Sequence, residues 1–307
     1  MKCIFCNKDS IEIVRSFKTE EINILYRKQL NIDVSYLFNF HSIDLVNCND
    51  CHINYFVPLV SGDNKFYQNL AKFDWYYQKE KIEYDVIKNY IKKNSKVLDI
   101  GCGQGNFSKY LQEVNYTGLE PNAKCETILN DKAKILNITL KEHLENINDA
   151  YDYVCLFQVL EHITNPYELL NDVKKILKTG GKLIISVPNN DSYLKYMING
   201  ILNFPPHHLI RWTKNSLNKI GEVLELKNIF TIELPLDDIH HTNYSYAIGK
   251  KITSLLFFQK HKELNLSISN KINNILSRPF YWSLNKLVKK KILQPLGHSI
   301  IGIYEKT

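Results

Sequence analysis

The chain contains no apolar run that approaches the roughly 20 residues needed to span a bilayer. Its first 20 residues carry charges and have no apolar signal-peptide core, so we expect a cytoplasmic protein. No stretch interleaves aromatic and basic residues as a nucleic-acid module does, and the net charge of +7 is modest for 307 residues. With 44% hydrophobic residues, the chain can bury a core in one main domain and an accessory one.

The most informative segment is a short apolar strand that runs into a glycine-rich turn, Val97-Leu98-Asp99-Ile100-Gly101-Cys102-Gly103-Gln104-Gly105. Residues 107–114 then have helical spacing, and glycine lets the backbone approach a ligand closely at such a junction. A second strand over residues 116–120 ends in Glu120, where a doubly wound sheet places a carboxylate against ribose hydroxyls. This order predicts an adenosine-containing ligand, whereas a glycine-rich turn without a ligand is the less favoured interpretation.

The glycine spacing distinguishes between adenosine ligands. The dinucleotide fingerprint begins at Gly101 and Gly103, but its third position falls on Asn106, so a pyrophosphate is disfavoured. The pattern from Asp99 to Gly105 resembles motif I of the class I S-adenosylmethionine-dependent methyltransferases. The resemblance implies S-adenosylmethionine as cofactor and a doubly wound, seven-stranded Rossmann-like α/β sheet. It also implies that the cofactor is bound by Asp99, Gly101, Gly103, Gly105, Glu120, Pro121, Gln158 and Tyr76.

Two later segments extend the resemblance. Residues 151–162 predict a buried fourth strand that empties into a loop, and they lead into the phrase Val159-Leu160-Glu161-His162-Ile163. Residues 166–177 have helical apolar spacing. The glycines at 180 and 181 predict a helix end, and residues 182–189 predict the next strand. Residues 159–163 and 177–189 resemble the corresponding segments of those class I methyltransferases that act on small hydroxylated metabolites and sugars. The likeness covers roughly residues 66–234 and returns in the last strand, residues 297–305.

Four of the seven cysteines form two knuckles, Cys3-x-x-Cys6 and Cys48-x-x-Cys51. Each knuckle can present two thiolates to one tetrahedral ion, so together they predict a closed structural zinc site with no position open for chemistry. The absence of a secretion signal disfavours a disulfide framework, and the absence of a thioredoxin-like unit disfavours a redox centre. The remaining cysteines are expected to be buried thiols: Cys102, Cys125 and Cys155.

The N-terminal segment resembles the zinc-binding module found ahead of some sugar methyltransferases, including C-methyltransferases of deoxysugar nucleotides. Those C-methyltransferases continue into a large C-terminal domain for which this chain is too short, so methyl transfer to oxygen is favoured. We place the zinc-binding module in residues 1–62 and the methyltransferase domain in residues 63–307. The rings of Trp75-Tyr76-Tyr77 lie where related enzymes close over the cofactor, and packing between the domains explains them equally well.

Methyl transfer to a hydroxyl needs an aligned acceptor and a base, and a histidine with a pKa near 6.5 suits the second role. His208 is the first candidate, because it falls on the histidine of the family segment P-x-H-x-x-x-aromatic-Ser/Thr. Thr213 would then cap a helix over residues 214–223. His207 and His162 are further catalytic candidates, although His208 could serve to hold the Pro-Pro loop and packing is favoured for His162. Four loop residues have metal-binding spacing, but a solvated loop is the favoured interpretation: Asp237, Asp238, His240 and His241.

The C-terminal third departs most from a minimal methyltransferase. Some fifty residues lie between a sixth strand, residues 228–234, and the final strand, and residues 244–258 and 266–291 have helical apolar spacing with basic flanks. We expect a helical insertion at about residues 244–295 that forms a lid over the acceptor or a packing face. Membrane contact through an interfacial helix is less favoured, because a folded helical hairpin needs the same apolar residues for its own packing.

The favoured function is O-methylation of a small hydroxylated acceptor, a sugar or sugar nucleotide of capsule or other surface-polysaccharide synthesis. The modest positive charge suits an anionic nucleotide sugar without requiring one. One alternative is a cofactor-binding module without catalysis whose zinc domain serves a protein partner, and another is a C-methyltransferase of deoxysugar nucleotides. Methylation of RNA is disfavoured, because the sequence shows no basic recognition surface.

Overall fold

The computed structural model describes residues 1–76, 78–121, 127–146, 150–258 and 260–307. Of the positions singled out above, Tyr77 and Cys125 lie outside the described residues. Within these ranges the strands are β1 (Ile11–Lys18), β2 (Ser42–Cys48), β3 (Asn54–Val57), β4 (Lys96–Ile100), β5 (Asn115–Leu119), β6 (Thr127–Asn130), β7 (Ala133–Leu136), β8 (Tyr151–Phe157), β9 (Leu177–Pro188), β10 (Ile210–Arg211), β11 (Lys227–Pro235) and β12 (Leu296–Glu305). The α-helices are α1 (Thr19–Leu30), α2 (Asn64–Leu70), α3 (Ile82–Ile87), α4 (Leu140–Asn146), α5 (Pro166–Ile176), α6 (Lys214–Leu224), α7 (His241–Leu256), α8 (Ile268–Leu276) and α9 (Arg278–Lys289).

An N-terminal sheet with the order β1-β2-β3-β10 is antiparallel throughout. Helix α1 buries Ile22 and Tyr26 in the core beside this sheet, and an αL residue, Asn31, ends the helix. The fourth strand comes from far along the chain, with Ile210 opposite Tyr55. The sheet is therefore not confined to residues 1–62, the range expected for the zinc-binding module.

The main sheet has the order β11-β12-β9-β8-β4-β5-β7-β6, and β4, β5, β7, β8 and β9 run parallel. Apolar side chains fill both faces of its central strands, as helices on both sides require. The predicted doubly wound α/β fold is confirmed. The sheet has eight described strands in place of the predicted seven, because β6 and β7 form an antiparallel hairpin at one edge.

Helix α6 begins where the sequence predicts. The Thr213 hydroxyl accepts a hydrogen bond from the Ser216 N–H at 3.2 Å, and the Ser216 hydroxyl accepts from the Thr213 N–H at 2.8 Å. This reciprocal capping box satisfies two backbone donors that the first turn of a helix leaves without partners. It also ends the preceding loop, which carries His207 and His208, at a defined point.

The segment between β11 and β12 is helical, as expected, and consists of α7, α8 and α9. The second predicted helix, residues 266–291, is divided into α8 and α9 at Ser277. Pro279 lies in the first turn of α9, the position where a helix tolerates a residue without a backbone N–H. That this segment is an insertion relative to simpler relatives stays a prediction. Among the described residues, no helix combines the length and apolar character that a membrane crossing requires.

Candidate active site

The glycine-rich loop follows β4 at the carboxyl end of the main sheet. Gly101 and Gly105 have φ angles of 68° and 67°, which side-chain-bearing residues rarely adopt. A Cβ atom added at Gly101 would come within 2.7 Å of the Val159 side chain, and one at Gly105 within 2.9 Å of Ile135. Both positions therefore require glycine, and the loop backbone stays close to the crevice outside the sheet.

The prediction of a helix over residues 107–114 is wrong. The structure has a short 3-10 helix at Asn106–Tyr110, because the chain must reverse before β5 begins. Glu113 makes the reversal with a φ angle of 54°, and its carbonyl oxygen accepts a hydrogen bond of 2.6 Å from the Asn94 N–H. The backbone of the glycine loop itself, and not the dipole of a long α-helix, thus faces a ligand here.

Glu120 follows β5 and lies against the glycine loop. Its Oε2 atom accepts a hydrogen bond of 3.0 Å from the Gly103 N–H, and its own N–H donates to the Leu136 carbonyl oxygen at 3.0 Å. These contacts hold the carboxylate at the crevice where a doubly wound fold binds ribose hydroxyls. The glycine loop and Glu120 therefore fit the nucleoside part of S-adenosylmethionine.

Asp99 lies beneath the loop. Its side chain is 2% exposed, and its Oδ2 atom accepts a hydrogen bond of 2.7 Å from the Tyr116 hydroxyl. Burial raises the pKa of Asp99 to about 7. In the structure Asp99 therefore connects β4 and β5, and its predicted contact with the cofactor stays a prediction.

A cavity of about 1020 Å³ extends from the glycine loop to the segment that carries His207 and His208. This volume lies at the upper end of the roughly 300–1,000 Å³ typical of small-molecule sites, which suits a cofactor together with an acceptor. Neither Asp99 nor Gly105 is among the described lining residues. The predicted residues that line the cavity are Tyr76, Gly101, Gly103, Glu120, Pro121, Gln158, His162, His207 and His208.

Gln158 follows β8 with a φ angle of 61°, and its side chain contacts three neighbouring elements. The Nε2 atom lies 2.9 Å from Glu83 Oε1, 3.2 Å from the Ser186 hydroxyl and 3.3 Å from the Ser299 hydroxyl. These bonds join α3, β9 and β12 at the wall of the cavity. The sequence analysis missed Glu83, which is 4% exposed; the available signal was an acidic residue inside the apolar pattern of α3.

Tyr76 and Trp75 line the cavity near the histidines. The ring centroids of Tyr76 and His207 are 5.9 Å apart, whereas Trp75 is 44% exposed. Tyr76 is therefore placed to cover a ligand that reaches the histidines.

His162, His207 and His208 lie together in the lining of the cavity. Their ring centroids are 4.5 to 5.0 Å apart. The Nδ1 atoms face oxygen acceptors: the His207 carbonyl for His162 at 2.6 Å, the Leu202 carbonyl for His207 at 3.0 Å, and Asn203 Oδ1 for His208 at 3.3 Å. Each Nδ1 therefore carries the proton, and each Nε2 keeps its lone pair.

Burial keeps these three imidazoles neutral. It lowers the pKa of His162 to about 4 and the pKa of His207 and of His208 well below the usual value. Neighbouring histidines add to the effect at His207 and His208. The expected pKa near 6.5 for His208 is thus too high. A neutral Nε2 can accept a proton from a hydroxyl, and one ring nitrogen from each histidine lies within 4.8 Å of the others, so the three could also hold a transition metal ion.

Glu161 is a second residue that the sequence analysis missed, although it stands beside His162 in the quoted phrase. Its side chain is 1% exposed, and neither carboxyl oxygen has a hydrogen-bond partner among the described residues. Its Oε1 atom lies 3.8 Å from His162 Nε2, and burial raises the pKa of Glu161 to about 8. A carboxyl that stays protonated near neutral pH therefore adjoins the histidines.

The histidines that follow β11 form a separate group. The rings of His240 and His298 stack with centroids 4.5 Å apart, and His241 Nε2 lies 3.2 Å from Asp238 Oδ1. Among the described residues, the side-chain groups close enough to share a metal ion do not include Asp237, Asp238, His240 or His241. A metal site there is not supported.

The four knuckle cysteines converge on one point. The Sγ atoms of Cys3 and Cys51 are 3.6 Å apart, and those of Cys6 and Cys48 are 3.5 Å apart. Thiolates bound to one tetrahedral zinc ion at about 2.3 Å stand roughly 3.8 Å apart, so the spacing fits zinc. The Cys51 thiol and backbone donors such as the Phe5 N–H lower the pKa of Cys3 to about 5. The cluster therefore suits a structural metal ion.

The family described as "Methyltransferase domain" matches residues 75–229. An uncharacterised protein of Methanocaldococcus jannaschii is 37% identical over 106 residues, which cover 34% of this chain and 45% of that protein. The ubiquinone biosynthesis O-methyltransferase of Glaesserella parasuis serovar 5 is 30% identical over 146 residues, which cover 38% of this chain and 62% of that enzyme. The chain thus spans less than two thirds of the length of these curated relatives.

Among solved structures, a SAM-dependent methyltransferase from Archaeoglobus fulgidus aligns with a TM-score of 0.46 and 19% identity, over 78% of this chain and 100% of that one. The family match is the stronger finding, because residues 75–229 contain the glycine loop, Glu120 and all three clustered histidines. The chain therefore belongs to the methyltransferase-domain family, and the predicted class of S-adenosylmethionine-dependent methyltransferase is confirmed.

Proposed function

We propose that the chain transfers the methyl group of S-adenosylmethionine to a hydroxyl oxygen of a small acceptor, a sugar or a sugar nucleotide. The observation that carries this proposal is one cavity whose lining contains the glycine loop, Glu120 and the three histidines. When bound, the cofactor supplies an electrophilic methyl group on a sulfonium. The chain's own residues then have to align the acceptor, receive its proton and exclude water.

The glycine loop and Glu120 would hold the cofactor. The loop presents backbone close to the crevice, and the carboxylate can accept hydrogen bonds from both ribose hydroxyls. Tyr76 would cover the site near the acceptor, since its ring lies in the cavity wall beside His207. This division leaves the histidine end of the cavity for the acceptor.

His208 is the proposed base. Its Nδ1 is directed at Asn203 Oδ1, which leaves Nε2 to accept the acceptor proton, and His207 stacks on its ring. Because burial makes the imidazole a weak base and a sugar hydroxyl is a weak acid, the proton leaves as the methyl group is transferred and not before. His162 and the neutral Glu161 would position the acceptor oxygen by hydrogen bonds.

Transfer to oxygen has two supports. The relatives described above include a ubiquinone biosynthesis O-methyltransferase, and a histidine base suits a hydroxyl acceptor. A sugar-type acceptor rests on the sequence resemblance to sugar methyltransferases and on the polar side chains at the histidine end. The cysteine cluster would hold a structural zinc ion, as its sulfur spacing suits.

The test is a screen of nucleotide sugars and glycan fragments with S-adenosylmethionine that carries a deuterated methyl group. Mass spectrometry detects the label in the product, and NMR assigns the atom that bears it. A deuterated O-methyl sugar is the expected product. A label on carbon would favour C-methylation, and tight cofactor binding without transfer to any acceptor class, phenols included, would favour a non-catalytic module.

A further inference from the structure

Helix α8 exposes its apolar face and buries polar side chains, the reverse of an ordinary surface helix. Its residues Ile268, Ile272, Ile275 and Leu276 share one helix face, and their side chains are 73%, 50%, 59% and 37% exposed. Its buried side chains are polar instead: Asn270 and Asn273. A surface helix normally turns its apolar face toward the core, so this orientation requires an explanation.

Hydrogen bonds hold α8 in this orientation. The Nζ atom of Lys250, a side chain with 0% exposure, donates to Asn270 Oδ1 at 2.6 Å. Asn273 Nδ2 donates to the Ser254 hydroxyl at 2.9 Å. Rotating the helix to bury its isoleucines would remove the acceptor from a buried lysine, which is costly. The outward position of the isoleucines is thus enforced by the core of the helical segment.

The exposed apolar surface continues at the end of α7. Ser254 contacts α8, and the next four side chains, those of Leu255, Leu256, Phe257 and Phe258, are 53% to 97% exposed. We call these residues and the four apolar residues of α8 the outward apolar face. The sequence predicts that such residues form a lid or pack within a helical hairpin, whereas the structure leaves them exposed.

The helical segment that carries this face is strongly basic. Residues 241–296 contain ten Lys or Arg residues and one acidic residue, Glu263. The Glu263 carboxylate is already paired, at 3.0 Å with Arg15 and at 2.7 Å with Arg211. The exposed cations are Lys260, Lys262, Lys271, Arg278, Lys286, Lys289, Lys290 and Lys291.

We propose that the outward apolar face docks the protein on a membrane surface that contains anionic lipid. Apolar side chains with a basic surround are the combination by which interfacial helices bind such surfaces, the first by burial at the acyl boundary and the second by attraction to the headgroups. A symmetric contact with a second copy would bring the same cations together, which repulsion disfavours. Docking is independent of the chemistry proposed for the cavity.

Co-sedimentation of the full chain with vesicles tests this inference. The expected result is binding to phosphatidylcholine vesicles that contain phosphatidylglycerol at least about tenfold stronger than binding to pure phosphatidylcholine, and weaker binding as salt rises. Equal binding to both vesicle types, or binding to neither, would overturn the proposal. Cofactor affinity measured on the same sample tests the cavity separately.

Two sets of substitutions assign the binding to this face. Ile272→Asn with Ile275→Asn should reduce vesicle binding about tenfold or more, because the substitutions remove apolar surface that would be buried in the membrane. The melting temperature should stay unchanged, because both side chains are already exposed in the folded protein. Ile128→Asn, at an 83% exposed side chain on β6, is the matched control and should bind as the parent does. Sedimentation equilibrium in which the double substitution dissociates a dimer, with no effect on vesicles, would assign the face to a second copy and refute lipid docking.

Discussion

Glu120 and Gly103 are joined across the crevice by a hydrogen bond of 3.0 Å from a backbone N–H to a carboxylate oxygen. The bond joins the two elements proposed to hold the cofactor, so removing the carboxylate affects both. We expect Glu120→Ala to weaken S-adenosylmethionine binding by about 1.5–3 kcal/mol, roughly 10- to 150-fold, in titration calorimetry. Glu222→Ala, at a glutamate paired with Lys219 on the surface of α6, is the control. Parental affinity in Glu120→Ala would refute the ribose assignment.

The cysteine cluster should retain one zinc ion per chain. Elemental analysis of the purified protein measures this, and Cys48→Ser should lose the metal and lower the melting temperature, because a structural site contributes directly to folding. Cys102→Ser changes a thiol outside the cluster and should keep the metal. Unchanged metal content in Cys48→Ser would exclude this site.

His208→Ala should lower turnover about 10²- to 10⁴-fold on the true acceptor and leave cofactor affinity nearly intact. The reason is that His208 is proposed to contact the acceptor, whereas Glu120 and the glycine loop are proposed to hold the cofactor. His207→Ala should lose less. Near-parental turnover would exclude His208 as the base, and a second bound metal ion that disappears in His208→Ala would make it a ligand instead.

The pH dependence of kcat is a second test of His208. Burial lowers the pKa of His208, so its imidazole is neutral and able to accept a proton throughout the neutral range. Turnover should therefore fall, as the pH is lowered, only at a pH clearly below the roughly 6.5 of an ordinary histidine. Single-turnover kinetics separates this effect from product release. An acidic limb centred at 6.5 would point to a solvent-exposed histidine.

Asp99→Asn should change how stability depends on pH. The pKa of Asp99 is about 7 in the folded protein and near 3.8 when unfolded, so unfolding releases a proton between these values and the parent loses stability as the pH rises. Relative to Asp99→Asn, the parent should lose about 2–3 kcal/mol between pH 5 and pH 8 in urea unfolding. Asp131→Asn, at an exposed turn residue, should follow the parent. Parallel curves for Asp99→Asn and the parent would place the titrating group elsewhere.

Local patterns predicted the parts of the fold that local physics determines. The apolar runs of β4, β8 and β9, the glycine-rich turn after β4 and the cap at Thr213 each depend on a few neighbouring residues, and the structure has them. The two cysteine knuckles also predict that their four thiols lie close together, because their spacing suits one tetrahedral ion. The eighth strand was not predicted, since it depends on an open edge of β7 that pairs with β6.

Which charged groups are buried could not be predicted from the sequence. Glu83 and Glu161 lie inside the protein only because elements distant in sequence close over them. The orientation of α8 also depends on residues distant in sequence. The periodicity shows that Ile272 and Ile275 share a face, but the hydrogen bond from Lys250 to Asn270 determines that this face is exposed. The low pKa of His208 likewise depends on neighbours brought together by folding.

The short strand β10 connects the N-terminal sheet with the loop that carries His207 and His208. It pairs with β3, which begins three residues after Cys51, and it continues directly from the loop of His207 and His208. That loop is also tied to the main sheet's side, where the Leu209 N–H donates to the Glu161 carbonyl at 2.7 Å. If the cysteine cluster holds the proposed zinc ion, we expect a chain deprived of it to bind the cofactor and to discriminate less well between acceptors.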